Sequence, residues 1–326
     1  MADGVIILSS PLWLEMGALP KSEIQISGRP VTLLCPRVPR DRGPSAKMEL
    51  LEPLRNRRHL PVTTLRGEVD WGNFNETTNR LYVKALRFVA PMDPLSENGD
   101  GIFLRVWPLG WLRSGWSEWF GIFNDWLLAW RRYPREEPQA VDTTQIHAAA
   151  ERAALGMTGY VSASVSITNH GSLKASTRSE VRAAIRCANQ VRTLPVPSEM
   201  ILRAHTALLL GRYRECLIDA CTAAEAALTE AVKTAFSGPA IRSDALETVV
   251  KRAGGVRGLA ELARDLGLIE IAMLTSVQKK LAEPRNRAVH YGATTDRETA
   301  DNALATSFNL CEAVWPLATP TQVLKV

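Results

Sequence analysis

Apolar residues change their spacing along this chain, and the change divides it in two. Over roughly the first 112 residues they alternate with polar ones, as in Leu65, Gly67, Val69, Trp71, in Leu81, Val83, Ala85, and in Ile102, Leu104, Val106. A period of two puts one set of side chains on one face of a strand. Turn formers such as Glu97-Asn98-Gly99-Asp100-Gly101 separate the runs, which predicts an antiparallel sheet. Val161, Ala163, Val165 and Ile167 alternate with Ser162, Ser164, Ser166 and Thr168 ahead of a turn at Asn169-His170-Gly171. They read as a further strand of the same domain.

Between these strands Trp116, Trp119, Phe123, Trp126 and Trp130 fall at spacings of 3, 4, 3 and 4, so five rings share one helical stripe. Two readings fit. The stripe is the seam by which a helix lies on the sheet, because aromatic rings dominate buried energetics. Alternatively it is a surface for a partner or ligand, including base stacking or a membrane interface, with Arg131, Arg132 and Arg135 beside it.

From Thr177 the spacing becomes helical and stays so. Ser198 is an N-cap candidate after Pro197, and that helix ends at Leu208 to Leu210 before Gly211. A long helix is expected from Tyr213 to Phe236. Its apolar residues form two stripes, Tyr213, Leu217, Ala220, Ala224, Ala227, Ala231 and Ile218, Cys221, Leu228, Val232, so it is packed on more than one side. Glu225 lies on the second stripe, where a carboxylate needs a compensating partner. Helices over Ser243–Ala253, Val256–Leu266 and Leu268–Glu283 follow, punctuated by Gly254-Gly255 and Gly267. The last helix is expected to open on a capping box, Thr295 with Glu298, and to bury Ala300, Leu304, Phe308, Cys311 and Trp315. The fold class is therefore α+β: a β-rich domain over residues 1–195, then an all-α bundle over 196–326.

Composition agrees with two folded domains. The chain has 326 residues, longer than one core usually grows, with 46% hydrophobic and 22% charged residues. It has no stretch of about 18 uninterrupted apolar residues, and Met1-Ala2-Asp3-Gly4 lacks the positive start of a secretory signal, so a cytoplasmic protein with no membrane partner is expected. The five cysteines are an odd number without CxxC spacing, which points to neither a disulfide framework nor a zinc site. His59, His147, His170 and His205 show no metal-ligand spacing, and no cofactor or metal is expected. From Glu199 onward 15 Lys and Arg face 15 Asp and Glu, leaving 24 against 19 before it. A neutral C-terminal domain is not a general polyanion binder, so nucleic-acid chemistry there must depend on a local site.

One local cluster fits. Pro284 is expected to open a short helix, Arg285-Asn286-Arg287-Ala288-Val289-His290-Tyr291, closed by Gly292. Asn286 and His290, four apart, share a face, and the long Arg285 side chain can reach the same spot. A permanent cation, a neutral amide and an imidazole, which as a type titrates near neutrality, then converge. Arg287 and Tyr291 read as structural or surface residues.

The long helix with Gly211-x-Tyr213 at its start and Ala224-Glu225-Ala226-Ala227-Leu228 inside it, followed by Arg285-Asn286-x-x-x-His290 and a closing helix, resembles the HEPN superfamily and its R-x(4–6)-H motif. The match spans roughly residues 197–318. The resemblance implies a metal-independent RNA endonuclease. A ribose 2′-hydroxyl attacks the adjacent phosphorus, His290 serves as base or acid, Arg285 neutralises the phosphoryl oxygens, and Asn286 orients phosphate or imidazole. Glu225 is then expected to support the site by holding Arg285. One histidine cannot be base and acid at once, and the resemblance implies a homodimer through the helical domain in which two motifs share a cleft. An effector of antiviral defence or a toxin is implied, with a trigger or regulator acting at the β-rich domain. The reading from another class is a non-catalytic HEPN module that binds a nucleotide or partner and dimerises.

Overall fold

A computed structural model describes residues 2–19, 21–39, 47–50, 70–75, 79–90, 110–131, 175–236 and 243–325. The runs Ile102 to Val106 and Val161 to Ile167, most of Leu65 to Trp71, and the turns expected at 97–101 and 169–171 lie outside the described residues. The fold is α+β, with a curled antiparallel sheet ahead of helices. Two compact units form. One takes the described residues up to 193 and those from 319 on; the other takes 194–318.

In the first unit the strands are β1 (Ala2–Glu15), β2 (Ser22–Ile26), β3 (Arg29–Leu34), β4 (Lys47–Glu49), β5 (Gly72–Asn75) and β6 (Arg80–Ala90). The sheet runs β2-β3-β6-β5-β4, and β1 pairs along the other edge of β6. The β1 register shifts between Ile7 and Leu12, a stretch holding Pro11, which cannot donate to a ladder and is found at such irregularities. In β6, Leu81, Val83 and Ala85 are buried in alternation, and from Leu86 both faces are covered. Ser27 (φ 50°) and Gly28 (φ 72°) turn β2 into β3, both left-handed as a tight hairpin of matching twist requires.

Helix α1 (Gly110–Trp130) carries the tryptophan stripe. Trp119, Phe123, Trp126 and Trp130 are buried and Trp116 half-buried, so the stripe is a core seam. Helix α2 (Arg178–Asn189) pins it: Trp119 Nε1 donates to Asn189 Oδ1 at 2.9 Å, and Trp126 Nε1 to the Arg192 carbonyl at 2.7 Å. The polar tips are thus satisfied, which lets the rings contribute about 2–3 kcal/mol each by burial. A Cβ on Gly115 would lie 2.5 Å from Ser27 Oγ, so glycine sets how closely α1 approaches the β2–β3 turn. Thr177 and Glu180 cap α2 reciprocally.

The second unit holds α3 (Val196–Leu209), α4 (Tyr213–Ala235), α5 (Ser243–Ala253), α6 (Gly255–Asp265), α7 (Ile271–Val277), α8 (Glu283–His290) and α9 (Arg297–Val314). Helix α3 starts two residues before Ser198, with Pro197 in its first turn, where a missing N–H costs nothing. Helix α4 is central and packs on α3, α6, α8 and α9. Small side chains let α4 and α9 approach closely: Ser307 Oγ donates to the Ala220 carbonyl at 2.7 Å, and the Cys216 and Cys311 thiols reach the Ala300 and Ala223 carbonyls at 3.7 Å. Asp296, not Thr295, caps α9, accepting the Thr299 N–H at 2.8 Å. Phe308 and Trp315 are half-buried; Ala303, Ser307 and Leu310 share the core with Ala300, Leu304 and Cys311. A closing turn, α10 (Pro320–Lys325), belongs to the first unit, where Arg186 donates to the Leu324 carbonyl at 2.8 Å. Among the described residues no helix is long and apolar enough to cross a membrane.

Candidate active site

Pro284 does not open a separate helix. Ala282 and Glu283 both have helical dihedrals, and α7 runs into α8 through a π-turn over Gln278–Ala282, closed by the Glu283 N–H on the Gln278 carbonyl five residues back. Proline inside an α-helix lacks a hydrogen bond and collides with the carbonyl four residues earlier. The wider π-turn spreads the backbone where that collision would fall, so the helix passes through Pro284 instead of breaking.

The continuous helix buries Leu274, Val277, Leu281, Pro284 and Ala288, at spacings of 3, 4, 3 and 4. Its opposite face exposes Lys279, Lys280, Glu283, Asn286, Arg287 and His290. Asn286 and His290 therefore lie together on the solvent side, as their spacing predicts. Arg285 is half-buried at the margin of that face and its Nη1 makes a long contact, 3.5 Å, to Asn286 Oδ1. His290 is the last residue of α8, where a cation also suits the helix macrodipole.

Glu225 takes a different partner from the one expected. Its Oε1 accepts the Val256 N–H at 3.0 Å, and among the described residues no ion pair joins it to Arg285. Val256 stands in the first turn of α6, whose amides lack intrahelical acceptors, and the N-cap, Gly254, has no side chain to supply one. The carboxylate from α4 fills that need across the bundle. Gly254 and Gly255 have φ of 70° and 85°, and a Cβ on Gly255 would come to 3.4 Å from Glu225 Oε1, so the glycines let the helix start meet the carboxylate.

Cys221, one turn before Glu225 on α4, links this region to the site. Its thiol donates to the Leu281 carbonyl in the π-turn at 3.5 Å. Burial pushes the thiol up to about 12, helped by the Glu225 charge and opposed by the Arg285 charge, which places both ionic groups within electrostatic reach of one sulfur.

Sequence reasoning missed the Cys221–Leu281 contact and the cationic residues Lys279 and Lys280 on the motif face. The lysines were visible as a dipeptide five and six residues before Arg285, but their face depends on helix continuity through Pro284. Among the described residues no group of three or more His, Cys, Asp or Glu gathers as a metal site. Compared with known proteins, the chain matches no family model, no curated sequence and no solved structure.

Proposed function

We propose that the helical unit is a metal-independent RNA endonuclease of HEPN type. The observation that carries this is a single continuous helix presenting Asn286 and His290, four residues apart, on its exposed face, with the Arg285 guanidinium 3.5 Å from the Asn286 amide oxygen. Those groups suit cleavage by the RNA's own 2′-hydroxyl. The imidazole takes or returns a proton, and the guanidinium offsets charge growing on the phosphoryl oxygens. The products would be a 2′,3′-cyclic phosphate and a free 5′-hydroxyl. A π-turn directly before these residues agrees with the frequency of such turns at functional sites.

Because one histidine serves one proton transfer at a time, the active form in this reading is a two-fold dimer with both His290 side chains in one cleft. Its biological setting would be a regulated cytoplasmic effector of antiviral defence or a toxin, restrained or triggered through the β-rich unit. The test is the full chain and its His290→Ala variant with total RNA in excess EDTA. Cleavage that survives the chelator, leaves cyclic phosphate ends and disappears in the variant is the expected result. If both proteins are folded and dimeric, leave RNA intact, and are equally harmless on expression, the alternative of a non-catalytic nucleotide- or partner-binding module replaces this one.

A further inference from the structure

The helix that carries the motif has more on its exposed face than the motif. Lys279 and Lys280 lie on it one side of Asn286, Arg287 lies next to Asn286, and all three are exposed and make no ion pair with a described residue. Glu283 is the only carboxylate between Ile271 and His290. The second unit, residues 194–318, carries 14 Lys and Arg against 15 Asp and Glu, so three unpaired cations on one face are a local concentration rather than a sample of the surface. From Lys279 to His290 the helix rises about 16 Å, the span of a few nucleotides.

At the other end stands Tyr291. It follows His290 at the helix C-cap and is 83% exposed, more than any other large apolar or aromatic side chain among the described residues. A folded protein leaves a ring this open at little benefit to its own stability, whereas an exposed ring gives a nucleobase a face to stack on. Lysines ahead of the motif, an arginine within it and a ring after it fit the two parts of a single-stranded nucleic acid, its backbone and its bases.

We infer that this helix face is a binding track for single-stranded RNA, with Lys279, Lys280 and Arg287 holding backbone phosphates ahead of and within the motif and Tyr291 stacking a base beyond His290. The inference rests on the nuclease reading and adds to it how substrate lies in the site. Duplex RNA does not fit, because its bases are stacked on each other and offer no free face to Tyr291.

The test uses the full chain carrying His290→Ala, in EDTA, with a short fluorescein-labelled single-stranded RNA followed by anisotropy across a range of KCl. Adding Lys279→Gln, Lys280→Gln and Arg287→Gln together is expected to lower the slope of log affinity against log salt by about 2, since each phosphate neutralised on a single strand contributes roughly 0.7. Tyr291→Ala is expected to weaken binding about tenfold at unchanged slope, while Tyr291→Phe stays within about twofold. Parent-like affinity and slope in the triple variant and in Tyr291→Ala overturn the track. So does a change of oligomeric state by light scattering in Tyr291→Ala without a change in affinity, which would give this face to a second copy of the chain. Cleavage separates the two ideas. Wild-type cleavage that needs His290 but ignores the track residues leaves the nuclease and removes the track; weakened binding in the track variants with no His290-dependent cleavage leaves an RNA-binding face and removes the nuclease.

Discussion

At the scale of single residues, Glu225 shows how far a physical reading reaches. A carboxylate on an apolar stripe demands a partner, and that demand was legible. The partner was not, because a backbone N–H at a helix start 31 residues away carries no side-chain signature. Glu225→Ala is expected to cost about 1–2 kcal/mol by orphaning the Val256 N–H, and Glu225→Gln, which keeps an acceptor, less than half of that, by urea titration. Since Glu225 and Arg285 are not paired, Glu225→Ala and Arg285→Ala should add in a double-mutant cycle; a coupling above about 1 kcal/mol would restore the expected ion pair. His205, 8% exposed on α3, makes a second prediction. Burial lowers its imidazole from 6.5 to about 4, so between those values the unfolded chain takes up a proton that the folded chain refuses. Stability is then complete above about pH 6.5 and falls by up to roughly 3 kcal/mol as pH drops toward 4. His205→Gln, which cannot take the proton, should lack this part of the acid sensitivity; equal pH dependence in the two proteins would assign it elsewhere.

At the scale of elements, strong periodicity located helices well and backbone register poorly. The long α4 begins at its expected residue, Tyr213, and ends one residue before the expected Phe236, because apolar residues on several sides leave little choice of boundary. The motif helix was misjudged at its start. Proline most often marks a first turn, and nothing in residue type announces a π-turn that lets it sit inside. The Asn286 and His290 pairing survives that misreading because it depends only on a spacing of four. Pro284→Ala tests whether the π-turn aims the site. The new N–H can bond the Lys280 carbonyl, so the melting temperature is expected to rise while the proposed RNA cleavage falls; an equally active variant would show that the turn merely tolerates proline. The start of α9 was also displaced, since Thr295 and Asp296 are both good caps and only geometry chooses between them.

At the scale of the whole molecule, the division into a β-rich part and a helical part followed from the change of period, but the route of the chain between them did not. Nothing periodic marks the six residues of α10 as belonging with the sheet unit, yet Val323 is 3% exposed and Leu324 accepts from Arg186 there. A chain ending after Ala318 should therefore lose about 1–3 kcal/mol from the sheet unit, the burial of one aliphatic side chain and a hydrogen bond, while α3 to α9 keep their hydrogen-exchange protection. Matching losses in both units would show that they unfold together. Among the described residues the topology that results is that of an insertion: the chain leaves the sheet unit after residue 193 and returns to it at 319. A protease cutting one connection would leave the nuclease candidate leashed by the other, so cutting it free takes two cleavages, and a partner that pulls or loosens the sheet unit has hold of both ends of the helical one.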